Sequence, residues 1–259
     1  MHYDRVHRMT ASRWDYSGLA ADTYDLWFGD EPFWDQRFFF ERIRENGGAA
    51  LELACGTGRL LVPFLRDGLD VEGIDASCRM LELCRQKAVA AGLAPVLHEQ
   101  LMQALDVPRR FHTIYIPADS FRMVVDRAEA MQALVRSRNH LAPGGELIVT
   151  LGQTPTNTDD GQARMTRHAR RDDGTIARVF VTTRTVPDES VQEMHVRFEI
   201  VSNDVITEAL TWPSARLRCY EPGEFTSLLR SAGFRSVQER VGYGGAPEPA
   251  PDRIFLARV

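Results

Sequence analysis

The sequence predicts an α/β fold, a parallel sheet covered by helices, with an antiparallel meander inserted near its end. Three observations predict it. From residue 49 short apolar runs alternate with amphipathic segments of helical period, the pattern that buries a parallel sheet between helices. The first apolar run ends in a small-residue loop, Ala54-Cys55-Gly56-Thr57-Gly58, where glycine permits a sharp turn and close approach of a ligand to the backbone. Over residues 163–219 the alternation stops, and period-two segments separated by turn signals replace it.

Composition sets the outer bounds. The 259 residues hold 44% hydrophobic and 26% charged side chains, ordinary for one α/β domain with an appendage or for two small domains. A formal charge of −5 argues against general affinity for nucleic acid or anionic membrane. The only lysine is Lys87, which codon bias explains more simply than function does. Cys55, Cys78, Cys84 and Cys219 form no CxxC pair and have no histidine at zinc spacing, so no metal is expected and they read as buried, reduced thiols of a cytoplasmic protein. The first residues, Met-His-Tyr-Asp-Arg-Val-His-Arg, lack the apolar core of a signal peptide. No run approaches the ~20 apolar residues of a membrane span.

Residues 1–46 hold eleven aromatic side chains: Tyr3, Trp14, Tyr16, Tyr24, Trp27, Phe28, Phe33, Trp34, Phe38, Phe39 and Phe40. A helix over Phe38–Ile43, ended by Asn46-Gly47-Gly48, is expected to pack on the sheet. Upstream, the rings either line a pocket as a lid or fill a small N-terminal core, since aromatics dominate both settings.

Strand 49–54 leads through the glycine loop into a helix over 58–67, with Leu60, Leu61, Phe64 and Leu65 inward, Pro63 in its first turns and Gly68 as cap. Strand 70–75 precedes a helix over 77–91 with Ser77 as N-cap and Met80, Leu81, Cys84, Ala88 and Ala91 on one face. Short strands follow at 95–99 and 111–116, the second ending in the loop 117–121. A helix over 127–141 with Met131, Leu134, Val135 and Leu141 inward stops at Pro143-Gly144-Gly145, before strand 146–151. In the meander, Met194, Val196, Phe198 and Ile200 face one way, and Glu193, His195, Arg197 and Glu199 the other. Proline at the first helical position and Gly233 past the end bracket a helix over 222–232. Strands 235–241 and 253–259 flank a Gly/Pro-rich loop and close the chain.

The chemistry is concentrated in the glycine loop and Asp75. An acidic residue at the end of the second strand, about 20 residues beyond a glycine loop, suits a ribose whose two hydroxyls need acceptors. Either feature alone is common; together they indicate an adenosine-type ligand.

With these motifs the sequence resembles the class I S-adenosylmethionine-dependent methyltransferases. Leu51-Glu52-Leu53-Ala54-Cys55-Gly56-Thr57-Gly58-Arg59 is similar to the first family motif, with Ala54 where a glycine usually stands. That departure is tolerable if the position needs no positive φ. Val71–Ser77 with Met80-Leu81, His140–Gly145, and Glu221–Phe225 through Ala232-Gly233-Phe234 resemble three later signatures in order. The resemblance covers about residues 15–259. It implies a Rossmann-like seven-stranded mixed sheet, last strand antiparallel, with S-adenosylmethionine across the carboxyl ends of its strands and S-adenosylhomocysteine as product. Residues 47–162 and 220–259 would form the cofactor domain, 1–46 an aromatic lid, and 163–219 a sheet over the acceptor.

Carried over residue by residue, Glu52, Ala54, Cys55, Gly56 and Gly58 would lie near the methionine moiety and Asp75 would hold the ribose. Ala76 and Met80 would border the adenine, and the carbonyl of Ile116 or Pro117 would take the ammonium. Leu101 and Met102 stand where the family has an aspartate and an adenine-contacting residue, so Leu101 removes the expected carboxylate. The N-terminal segment and the insert resemble a small-molecule subgroup that includes sugar-amine and glycine N-methyltransferases. Asp119 and Tyr24 are the candidates for the reacting centre, with Tyr16, Trp27 and Phe121 along the acceptor. Asp119 could equally be an ordinary loop or capping residue.

The implied reaction moves a methyl group to a small-molecule amine or hydroxyl by in-line displacement. Rival readings are an enzyme using the sulfonium for elimination or cyclisation, or a cofactor-binding regulator. A dehydrogenase is disfavoured because the GxGxxG spacing is missing, and a nucleic-acid amino-methyltransferase because Pro117-Ala118-Asp119-Ser120 stands in place of its Pro-Pro-aromatic motif. Monomer and homodimer remain open.

Overall fold

A computed structural model describes residues 16, 18–27, 34–152, 163–186, 189–244 and 252–259. Tyr3, Trp14, Phe28 and Phe33, and the side chains of Trp27 and Trp34, lie outside the described residues.

The main sheet is built from β1 (Ala50–Leu53), β2 (Val71–Asp75), β3 (Val96–Glu99), β4 (Phe111–Ile116), β5 (Leu141–Leu151), β10 (Ser236–Val241) and β11 (Arg253–Arg258). Their spatial order is β10-β11-β5-β4-β1-β2-β3. β11 runs antiparallel to both β5 and β10, while β1 through β5 pair parallel, as the resemblance implies. β1 sits mid-sheet and every residue in it is buried, which its apolar run Ala-Leu-Glu-Leu requires except at Glu52.

Helices cover both faces. α2 (Trp34–Asn46), α3 (Leu61–Arg66) and α4 (Cys78–Ala90) lie on one, where Phe39, Phe64 and Leu81 pack around Tyr115 and Ile148. α5 (Arg127–His140) and α6 (Glu224–Ser231) lie on the other, where Leu134, Phe225 and Leu229 meet Ile114, Val149 and Phe255. β6 (Arg164–Arg170), β7 (Ile176–Val186), β8 (Val191–Ser202) and β9 (Val205–Arg218) form the separate antiparallel sheet. Val196, Phe198, Ile200 and Trp212 of that sheet pack against Leu19 and Ala20 of α1 (Gly18–Asp22), so the N-terminal segment rests on the insert.

Several local expectations change. The helix after the glycine loop begins only at Leu61, because residues 54–60 are spent on turns. α6 begins at Glu224 behind Gly223 at φ +79°, leaving Pro222 in the preceding turn. α5 runs straight into β5, and Pro143-Gly144-Gly145 forms a bulge inside that strand: Phe111 pairs with Leu141, then Thr113 with Glu146. A Cβ on Gly145 would meet the carbonyl of Ala142 at 3.0 Å. The inward stripe of α5 is Ala130, Ala133, Leu134 and Ser137; Val135 faces outward. Ala91 caps α4 and is exposed, as is Cys78. Glu199 is buried rather than wet, because Arg197 pairs with it at 2.7 Å.

Candidate functional site

The carboxyl ends of β1 to β4 open into one cavity of about 1180 Å³. Ala54 follows β1, Asp75 ends β2, Glu99 ends β3, and Ala118 and Asp119 follow β4, so all four bring residues to its wall. This is where open α/β sheets bind ligands.

Two backbone features shape the loop over β1. Ala54 is left-handed at φ +61°, so the position does need the positive φ that its usual glycine supplies, and alanine carries strain there. Gly58 is at φ +82°, and a Cβ on it would lie 2.6 Å from Cys84 Sγ and 2.8 Å from Val62 Cγ2. The amide of Cys55 donates to the carbonyl of Ile74 at 2.9 Å, seating the loop beside β2. Met80 and Tyr24 stand over Gly56, whose added Cβ would reach them at 3.4 and 4.0 Å.

Asp75 joins the two motifs. Its Oδ2 accepts the Gly56 amide at 2.9 Å and its Oδ1 the Ser77 amide at 2.8 Å. Burial raises its pKa above the usual carboxylate value, opposed by these amides. The Ala76 amide adds a third donor, and a carboxylate's lone pairs still exceed these partners.

Of the other expected cofactor residues, Ala76, Met80, Leu101 and Met102 line the cavity with Ala54 and Gly56. Cys55 and Gly58 form the underside of the loop. Glu52 is 2% exposed and lies behind the wall, accepting the Tyr115 hydroxyl at 3.1 Å. Burial pushes its pKa well up, with Arg59 pulling the other way. The Ile116 carbonyl takes the Thr150 hydroxyl at 3.4 Å, and the Pro117 carbonyl the Ser120 amide at 3.1 Å.

The N-terminal segment divides between the two roles open to it. Tyr16 and Tyr24 meet edge to face at 5.5 Å on the cavity wall, and Tyr16 also packs on Trp212 of β9 at 5.0 Å. Burial raises both phenols, which keeps them protonated donors at neutral pH. Phe38, Phe39 and Phe40 instead pack into the sheet core. Polar ties hold the segment over the loop. Thr57 Oγ1 donates to Asp25 at 2.6 Å, Ser77 Oγ to the Tyr16 carbonyl at 2.8 Å, and Arg59 to both Asp35 oxygens at 2.7 Å.

Asp119 faces the same cavity from a left-handed position, φ +65°. Its Oδ1 accepts the Gly152 amide at 2.8 Å and its Oδ2 accepts Arg122 Nη1 at 2.8 Å. Burial pushes its pKa up to about 6 despite Arg122. Phe121 turns away into the core, stacked against Phe225 and Tyr220. Arg122 could be suspected only as the third residue after Asp119. It is 3% exposed, and its Nε donates to the Arg218 carbonyl at 2.7 Å. Gln192, Met194, Leu217 and Thr183 of the insert also reach the cavity, and sequence alone offered no signal for any of them.

Among the described residues, no histidine joins this wall. His98 pairs with Glu72 at 2.9 Å, and His195 is exposed on its strand. His140 Nδ1 meets the Arg136 carbonyl at 2.8 Å and its Nε2 accepts the Val107 amide at 3.3 Å, away from the cavity. Among the described residues, no cluster of metal-ligating side chains forms and no helix is long and apolar enough to cross a membrane.

Comparison with known proteins agrees with this geometry. Residues 50–145 match the family model described as a methyltransferase domain. A dTDP-3-amino-3,6-dideoxy-alpha-D-glucopyranose N,N-dimethyltransferase from Streptomyces fradiae is 29% identical over 153 residues, covering 57% of this chain and 58% of that protein. The ubiquinone/menaquinone biosynthesis C-methyltransferase UbiE of Geotalea daltonii is 31% identical over 137 residues, 50% and 56% of the two chains. The match thus spans little more than half the length of these relatives. The crystal structure of the sugar N-methyltransferase KedS8 from Streptoalloteichus shares the fold at a TM-score of 0.75 and 18% identity, covering 96% of both chains. DesVI of Streptomyces venezuelae does so at 0.74 and 20%, covering 93% of this chain and 99% of that one. The ordered motifs and the strand order thus agree with the match of residues 50–145 to a methyltransferase domain.

Proposed function

We propose that this cavity binds S-adenosylmethionine across β1, β2 and β4 and that the chain transfers its methyl group to a small-molecule amine or hydroxyl. The observation that carries the reading is Asp75, which lines the cavity with spare acceptor positions while its amide partners keep it in place. The wall fits the cofactor. Ala54 and Gly56 offer close backbone, Asp75 two oxygens for a diol, and Ala76, Met80 and Met102 apolar surface for a flat base. When bound, the cofactor supplies a methyl on a positively charged sulfur, which leaves as a neutral thioether once an acceptor lone pair takes the methyl carbon.

The chain's own part is alignment and exclusion of water, which can supply much of the lowering of the barrier because the donor is already activated. Glu52 and Tyr115 brace the loop from behind, while Cys55 and Gly58 set its path. Tyr16 and Tyr24 close the cavity from the N-terminal side, with Trp27 following in the same turn. Asp119, ionised above about pH 6, faces the acceptor and can hold an ammonium or receive a hydroxyl proton. Residues 47–162 and 220–259 act as donor domain, the part of 1–46 around Tyr16 and Tyr24 as lid, and 163–219 as the sheet that selects the acceptor.

The test is thermal. S-adenosylhomocysteine at 100 times its Kd should stabilise the chain by about 2.7 kcal/mol. No shift at millimolar ligand overturns the donor assignment. Product analysis separates the chemistries: methyl transfer leaves S-adenosylhomocysteine, whereas elimination of the aminobutyryl chain leaves methylthioadenosine.

A further inference from the structure

We propose that the acceptor side of this cavity takes a neutral or cationic amine and disfavours any acceptor carrying a nucleoside-diphosphate handle. The proposal rests on the donor reading above and adds the charge class of the acceptor. Its basis is the distribution of charge along the wall. Apart from Asp75, which the proposed donor covers, Glu99, Asp119, Asp126 and Glu129 bring carboxylates to the cavity. Among the described lining residues the one cation is Arg122.

That guanidinium is committed elsewhere. It is 3% exposed, its Nε donates to the Arg218 carbonyl at 2.7 Å, and its Nη1 donates to Asp119 at 2.8 Å. Its Nη2 is directed at Gln192 Oε1, 3.4 Å away. A diphosphate is recognised by presented arginine forks, lysines or nests of backbone amides that face it. Here its oxygens would meet like charge instead: Glu99, Asp126 and Glu129 are exposed along the rim, so their repulsion acts through solvent and weakens with salt. An ammonium meets the opposite field. Asp119 offers it an anionic partner, and Met123, Met194 and Leu217 offer apolar surface to its carbon skeleton. Soft methionine side chains also adapt to an irregular skeleton.

The S. fradiae relative, named as acting on a dTDP-linked amino sugar, provides the contrast. If the lining decides, this chain works on the amine after or without nucleotide activation.

The experiment uses the full chain saturated with S-adenosylhomocysteine and titrates matched probes calorimetrically. These are an amino-sugar methyl glycoside, a benzylic amine, the same amino sugar as its dTDP ester, and dTDP and pyrophosphate alone. At low salt at least one amine should bind only when S-adenosylhomocysteine is present. The dTDP ester should bind the chain about tenfold or more weaker than its glycoside, the scale on which a lined cleft discriminates by charge. Raising the salt, or combining Glu99→Gln with Glu129→Gln, should narrow that gap. Equal or tighter binding of the dTDP ester, or of dTDP itself, overturns the proposal, and so does a failure of every amine to bind. A chain that S-adenosylhomocysteine itself does not stabilise fails at the donor reading instead, and the two failures are told apart before any acceptor is added.

Discussion

Oδ2 of Asp75 accepts the backbone amide of Gly56 at 2.9 Å, so the acidic end of β2 and the loop after β1 are one hydrogen-bonded unit. Their separation in sequence therefore has a physical meaning. It is the length of chain needed to leave the loop, cross the helix and return beside it.

Asp75→Asn should weaken S-adenosylhomocysteine by about 1.5–3 kcal/mol, the range for a hydrogen bond to a charged group. An asparagine oxygen can still accept one of the two amides, so the fold should survive. Calorimetric titration checks it, and an unchanged Kd would remove Asp75 from the cofactor site.

The two small residues of the loop should respond in opposite directions. Ala54 is at φ +61°, where a non-glycine residue costs roughly 1–2 kcal/mol and glycine's extra chain entropy roughly 0.5–1. Ala54→Gly should thus raise stability by about 0.5–1 kcal/mol. Gly58→Ala adds a Cβ 2.6 Å from Cys84 Sγ at a left-handed position, and should cost about 2–4 kcal/mol. Pairing it with Cys84→Ala should return part of that loss. Urea midpoints of the four proteins decide this.

Arg122→Met should destabilise by about 3 kcal/mol, the low end for breaking a buried ion pair, since Asp119 retains the Gly152 amide. The same change should raise the pKa of Asp119 further, because the opposing guanidinium is gone. Denaturant unfolding reads the first effect, and the carboxyl chemical shift of Asp119 against pH reads the second.

Stability should carry the signature of Asp119. Its pKa is 3.8 in an ordinary setting and about 6 in the fold, so ionisation costs the folded state more than the unfolded one. Its contribution favours folding below the ordinary value and is lost as pH rises through about 6. The difference amounts to about 3 kcal/mol at 1.36 kcal/mol per unit. The gap in stability between the native chain and Asp119→Asn, followed from acid to neutral pH, should therefore move against the native chain. With an amine acceptor, KM should rise as pH falls through the same region.

What was legible in the sequence was local. β1 with its loop, β2 with Asp75 and the Ser77 cap are each encoded within a few residues, and the alternation between strands and helices makes their order readable. The meander was legible for the same reason, as turns at 172–174 and 202–204 punctuate period-two runs. What escaped depends on partners far away in the chain. Phe121 reads as a ring beside a site, yet Tyr220 and Phe225 draw it into the core. Arg122 gives only its spacing from Asp119 as a local sign, because the carbonyl that fixes its Nε belongs to Arg218. Ala54 looks like a harmless replacement until its φ is known.

Arg122 reaches from the loop after β4 to the edge of the inserted sheet, and this has a consequence for redesign. A single guanidinium grips a carboxylate of one module and a main-chain carbonyl of the other. The sheet can therefore be exchanged for that of a relative only if the replacement presents a carbonyl at the position of Arg218. A graft that misses it would leave the arginine half-satisfied and Asp119, still held by the Gly152 amide, with a less firmly placed partner. Such a chimera could retain its grip on the donor while misaiming the acceptor, which makes this joint the first place to inspect when a swapped enzyme binds but does not turn over.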